Sequence, residues 1–179
     1  KVLNMDVTYG PELRFEPPKG KTVQQILPAS GPFAKLMGWC LPLVPGFVLH
    51  AFIRRMLVTW QHPENALFDD GAILINQDGK RFCQETQWPD REIAIANQPD
   101  KKAYILMDEF LTKRYSSWPN FISTAPKIAY AYVNDYLRLR PDIAIAGSIK
   151  EIAIKRMFPK NTLRKVLKES RLKGERWTL

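Results

Sequence analysis

Gly71-Ala72-Ile73-Leu74-Ile75-Asn76-Gln77-Asp78-Gly79-Lys80-Arg81-Phe82-Cys83-Gln84-Glu85 is the stretch around which this 179-residue chain is organised. Residues 72–75 form an apolar run of strand length, and Asp78-Gly79 supplies a pair that tolerates positive φ. The spacing predicts a β-hairpin with a tight turn. On the period-2 geometry of a strand, Arg81, Cys83 and Glu85 share one face of the returning arm, and Phe82 and Gln84 the other.

Upstream, residues 12–16 alternate and predict an edge strand stopped by Pro17-Pro18, and Thr22 caps a short helix through Leu27. Residues 36–53 carry no Lys, Arg, Asp or Glu, a length that prompts comparison with a membrane span. Pro42, Pro45 and Gly46 break the run, which therefore predicts two helices, about 31–41 and 47–60, as a buried helical hairpin. A lid over a hydrophobic ligand and membrane contact through 31–60 are the other readings of the same residues.

Downstream, Trp88-Pro89-Asp90 marks a turn with Asp90 as N-cap of a helix over 91–97, and 103–107 is a second apolar strand. A helical turn or two follows over 109–115. Ser123-Thr124-Ala125-Pro126 opens a helix, and Ala129, Tyr132, Val133, Tyr136 and Leu137 continue it as a packed stripe to about Leu139. A brief strand over 143–146 precedes the capping box Ser148-Ile149-Lys150-Glu151, a helix to about Met157, and a last helix over 163–171. The fold class is α+β: a small mixed sheet with a β-hairpin, surrounded by helices. Residues 1–179 read as a single domain, with no repeat and no Ser/Gly linker.

Hydrophobic residues at 45% and charged residues at 25% are globular values. Cys40 and Cys83 make no disulfide framework, which suits a cytoplasmic protein, and His50 and His62 have no spacing for a metal site. The net charge of +9 is concentrated from Ser148 onward, where ten Lys/Arg face three Glu, a balance of +7 that leaves +2 for the rest. These cations fall on the solvent faces of two amphipathic helices. Only Phe158 and Trp177 stand near them as stacking platforms, so the tail reads as solvated surface or anionic-substrate steering and not as a nucleic-acid site. The opening Lys1-Val2-Leu3, without an initiator Met, is expected of a piece of a longer protein.

GAILINQDGKRFCQE resembles the "G-a-I-l-V-N-x-x-G-x-R-F-x-x-E" signature of the FAD-dependent fumarate reductase/succinate dehydrogenase flavoprotein family. Gln98-Pro99 followed by 103–109 resembles its "Q-P…a-y-l-i-f-D" strand, and 148–171 more loosely resembles its helix–Pro–helix segment. The resemblance implies the capping (substrate) domain, which closes over a separate FAD-binding domain of the same parent protein. It implies a small-molecule substrate whose C–C bond exchanges hydride with the flavin. The alternative is a non-catalytic, stand-alone small-ligand-binding module with the cap fold. None of the nine glycines falls in a G-x-G-x-x-G string, so FAD belongs to the parent protein, none is expected in this chain, and the chain alone is expected to be inactive.

The family's proton-donating Arg, in "T-x-R-D", aligns without a gap on Gln87-Trp88-Pro89-Asp90, so its place is taken by Pro89. The Glu and Arg that feed it protons align on Asn65 and Phe68. Gln61-His62-Pro63-Glu64 is similar to the family's "Q-x-H-P-T" but lies closer to the hairpin. Arg91 is the substitute donor, with a surface Arg paired to Asp90 or Glu92 as the other reading. Arg81, Glu85, Trp88, Arg91 and His62 are therefore the substrate-cleft candidates, with Arg81 and Glu85 read as an ion pair or as catalytic groups. The departures, with the apolar run over 31–60, favour a ketosteroid-dehydrogenase-like relative over a fumarate reductase.

Overall fold

The computed structural model describes residues 13–20, 30–125, 128–159, 161–170 and 177–179. In chain order its elements are α1 (Pro32–Cys40), α2 (Gly46–Trp60), α3 (Ala66–Asp69), β1 (Ile73–Ile75), α4 (Asp90–Ala96), β2 (Tyr104–Asp108) and α5 (Glu109–Arg114). There follow β3 (Ser123–Ala125), β4 (Ala129–Ala131), α6 (Val133–Leu139), β5 (Ala146–Gly147), α7 (Ile149–Lys155), α8 (Thr162–Glu169) and β6 (Trp177–Thr178). The architecture is α+β, with a four-stranded antiparallel sheet in the order β1-β2-β6-β5 and a separate β3-β4 pair.

β1 has no polar position, and all three of its residues are buried. A strand covered on both faces needs that composition. It pairs with β2 in the register Ile73↔Leu106, Leu74↔Ile105 and Ile75↔Tyr104. β2 ends on Asp108, whose Oδ1 accepts from Leu111 N at 2.8 Å and so starts α5. The Ser148 box forms as the sequence predicts: Ser148 N donates to Glu151 Oε2 at 2.7 Å and Glu151 N to Ser148 Oγ at 3.4 Å.

The hairpin turn closes where expected, with Gly79 at φ 72° and Asn76 N donating to Lys80 O at 2.9 Å. Its returning arm differs: after one bridge, Ile75↔Arg81, residues 82–89 leave the sheet, and β2 takes the neighbouring position. The longer apolar β2 buries more beside β1 than the polar Lys80–Gln84 arm can.

Four other expectations are corrected, and one strand goes beyond them. The helix over 123–139 is a β3-β4 hairpin followed by α6, because Ala129 and Ala131 face inward with Tyr130 between them, a strand period. Residues 13–16 form no ladder, although Leu13 and Phe15 turn inward and Phe15 N donates to Gln61 O at 3.2 Å. Pro89, not Asp90, is the N-cap of α4. α1 has no buried residue, so 31–60 is not a buried hairpin. β6 was not anticipated: three residues, Trp177-Thr178-Leu179, are too few to show a period, yet they fill the centre of the sheet. The helix expected after Thr22 lies outside the described residues.

The end of α2 is anchored by α6. The last carbonyls of a helix lack intrahelical donors; here Tyr136 OH donates to Leu57 O at 3.2 Å and Arg140 Nη1 to Val58 O at 3.1 Å. Burial holds the Tyr136 phenol protonated well above its ordinary range.

Candidate functional site

The turn after β1 and the first turn of α4 bring three of the five candidate residues together. Arg81 grips Glu85 with two parallel hydrogen bonds, Nε to Oε1 at 2.9 Å and Nη2 to Oε2. Glu85 is buried, and its Oε1 also accepts from Leu74 N at 2.9 Å, so this carboxylate ties the exposed arm to the core strand. The hydrogen bonding of Arg81 to the Glu85 carboxylate raises the Arg81 pKa further. Arg81 and Glu85 thus form an ion pair that braces the turn.

Arg91 is buried, contrary to the surface reading. Its Nη1 donates to Glu85 O at 3.1 Å, its Nη2 to Asn65 Oδ1 at 2.9 Å, and its Nε to Glu92 Oε1 at 3.0 Å. The guanidinium lies 4.4 Å over the Phe68 ring. Asn65 and Phe68, together with Glu85 and Glu92, thus seat Arg91. Its partner Glu92 is also buried, and Glu92 Oε2 has no hydrogen-bond partner.

Trp88 is 63% exposed at the surface before Pro89, and His62 is exposed between α2 and α3. The positive potential of His62 opposes the rise that burial gives the Glu64 carboxyl. Cys83, half-buried between Arg81 and Glu85, has its thiol pushed up to about 11, first by burial and then by the Glu85 carboxylate. Its alkylation at pH 8 is expected to run on the order of a hundredfold slower than that of a free thiol. Rate against pH, with Cys40→Ser as background, measures it; a rate like a free thiol's at pH 8 contradicts this environment.

Beyond Glu92 lies a cavity of about 430 Å³ that sequence reasoning missed. Phe15, Ile95, Tyr104, Ile105, Met107 and Leu179 form much of its wall, from the 13–17 segment, α4, β2 and the C-terminus. Arg156 also lines it, 5.3 Å from the Tyr104 ring centroid, with Nε buried and unpaired. A mostly apolar space with a few charged groups has the size and character of a small-molecule site. Its walls come from segments distant in sequence, so no local pattern announces it. Glu92 belongs to both the cavity wall and the Arg91 cluster.

Among the described residues, the β5–α7 junction does not fit the pyrophosphate of FAD. Among the described residues, Gly147 is the glycine at a strand-to-helix junction, and a Cβ built there lies 2.5 Å from Glu151 Oε2. A carboxylate thus fills the helix N-terminus that a phosphate would need. Among the same residues, no group of three His, Cys, Asp or Glu stands where it can hold a metal ion.

No family model and no curated protein matches the chain. Among solved structures, the open conformation of a flavocytochrome c3 fumarate reductase is similar at 19% identity with a TM-score of 0.48. The likeness covers 66% of this chain and 24% of that protein, so the chain spans about a quarter of its length.

Proposed function

We propose that the chain is the substrate-capping part of an FAD-dependent oxidoreductase acting on a C–C bond. The observation that carries the reading is the Gly71–Glu85 signature, three of whose marked residues have physical work: Gly79 takes positive φ, and Arg81 and Glu85 lock the turn to β1. Flavin, held by a separate domain of the same parent protein, supplies the hydride chemistry. The cap excludes water and presents polar groups to the cleft. Arg91 is a positioning residue, since its donors are engaged by Asn65, Glu85 and Glu92. Pro89 has no proton to give, which supports a ketosteroid-like substrate over fumarate. The two free cysteines suit the cytosol.

The test is anaerobic titration of the complete purified protein. Expected are bound FAD and bleaching of its absorbance by a 3-ketosteroid, with fumarate turned over poorly. A flavin-free complete protein overturns the reading, and robust fumarate reduction overturns the substrate class. The cavity favours a second reading, a ligand-binding module without catalysis. Saturable binding of an apolar ligand by a flavin-free complete protein would select it.

A further inference from the structure

The apolar helix–turn–helix segment formed by α1, the 3₁₀ turn Leu41–Leu43 and the first half of α2 is exposed over most of its length, with Ala34, Cys40, Val44 and Leu49 half-buried. Phe33 is 62% exposed, Trp39 73%, Leu43 74% and Phe47 76%, and full burial in α2 begins only at Leu57. So many large apolar groups on one projecting element exceed the scattered exposure of an ordinary surface.

We propose that this segment is a membrane-surface anchor that inserts its tip into an anionic lipid leaflet. Three observations select lipid as the occupant. First, positions 41–49 read Leu-Pro-Leu-Val-Pro-Gly-Phe-Val-Leu and offer no polar side chain. A protein interface carries about one hydrogen bond per 100–200 Å², and this tip provides no side chain for one. Second, no Asp or Glu occurs from Pro17 to Pro63, whereas Lys19, Lys21, Lys35, Arg54 and Arg55 do. Third, cations flank the apolar tip on both sides in sequence: Lys35 is six residues before Leu41, and Arg55, next to the Asp135-paired Arg54, is eight after Phe47. At a helical rise of 1.5 Å per residue, each lies about 10 Å along its own helix from the tip. An interfacial helix sinks about 5–10 Å, so the cations come level with the headgroups. Among the described residues no helix is long and apolar enough to cross a membrane, and the 3₁₀ turn with Pro42 and Pro45 interrupts the apolar run between the two helices.

The test is vesicle flotation of the complete protein, with phosphatidylcholine vesicles against the same lipid mixed with phosphatidylglycerol. Expected is binding to the anionic vesicles, weakened on the order of a hundredfold by Leu43→Glu/Phe47→Glu, since each residue withdraws a full apolar side chain. Lys35→Gln/Arg55→Gln should weaken it roughly tenfold on anionic vesicles only. Absence of vesicle binding overturns the proposal, as does binding undiminished in Leu43→Glu/Phe47→Glu. A loss of thermal stability in that variant, or the disappearance of a concentration-dependent dimer without vesicle binding, also overturns it. The first assigns the segment to the protein's own interior, the second to another copy.

Discussion

Arg91→Ala is expected to destabilise the fold by about 3–5 kcal/mol, the range for removing one partner of a buried ion pair. The loss has a definite origin. Glu92 Oε2 already lacks a partner, and without Arg91 its Oε1 loses the donor at 3.0 Å as well. A charged carboxylate would then be buried beside an apolar cavity, while Glu85 O and Asn65 Oδ1 lose donors at 3.1 and 2.9 Å. Urea denaturation of wild type, Arg91→Ala, Glu92→Gln and the double variant measures the coupling. Glu92→Gln should recover part of the loss in the Arg91→Ala background, because a neutral amide is cheaper to bury unpaired than a carboxylate. A single-variant effect under about 1 kcal/mol would show that water reaches the pair and that the cluster is surface electrostatics.

That cluster was half legible. Arg81 and Glu85 were readable as an ion pair because a turn fixes their spacing within a few residues. The burial of Arg91 was not. Neighbours at i and i+1 on a helix do not face one another by spacing alone, and Arg91 is buried by Phe68 and Asn65, which lie on another element. Arginine next to acids in a short exposed-looking helix reads as surface until the fold brings α3 against it.

The fold divides in the same way. β1, β2, α5 and the Ser148 helix each carry a local cause: an apolar run, an Asp cap or a capping box. The β3-β4 hairpin differs from the expected helix because Ala129, Tyr132, Val133 and Tyr136 satisfy a helical period while Ala129 and Ala131 also satisfy a strand period. The deciding factor is the neighbour. β3 and β4 pack on α2, where Leu57 and Val58 are buried, and that contact is not local in sequence. The apolar 31–60 stretch erred for the opposite reason. Composition says that such residues avoid water, and does not say whether protein or lipid removes them from it.

Arg140→Ala is expected to destabilise by about 2–4 kcal/mol, because two charge-assisted hydrogen bonds to backbone carbonyls disappear together. Arg140 is buried and donates to Val58 O at 3.1 Å and Glu16 O at 2.7 Å, which joins the end of α2 to the 13–17 segment that walls the cavity. A cation at a helix C-terminus also meets the negative end of its dipole. Lysine, a single point donor, should recover only part of the loss. Asp142 orients the guanidinium through hydrogen bonds of 2.9 and 2.8 Å, and that hydrogen bonding first of all lowers its carboxyl pKa. A carboxyl lowered in the folded state adds stability that is present above its unfolded pKa and is lost as pH falls through the folded one. Arg140→Ala should therefore flatten the acid limb of the stability–pH curve below about pH 4, where the Asp142 contribution titrates. Because Asp142 is half exposed, that slope is small beside the loss of the two backbone bonds. Thermal melts of wild type, Arg140→Ala and Arg140→Lys at pH 3 and pH 7 separate the two terms. If Arg140→Ala melts like wild type at pH 7, the 13–17 segment and α2 are held by apolar contacts such as Phe15 on Tyr136, and the guanidinium joins nothing.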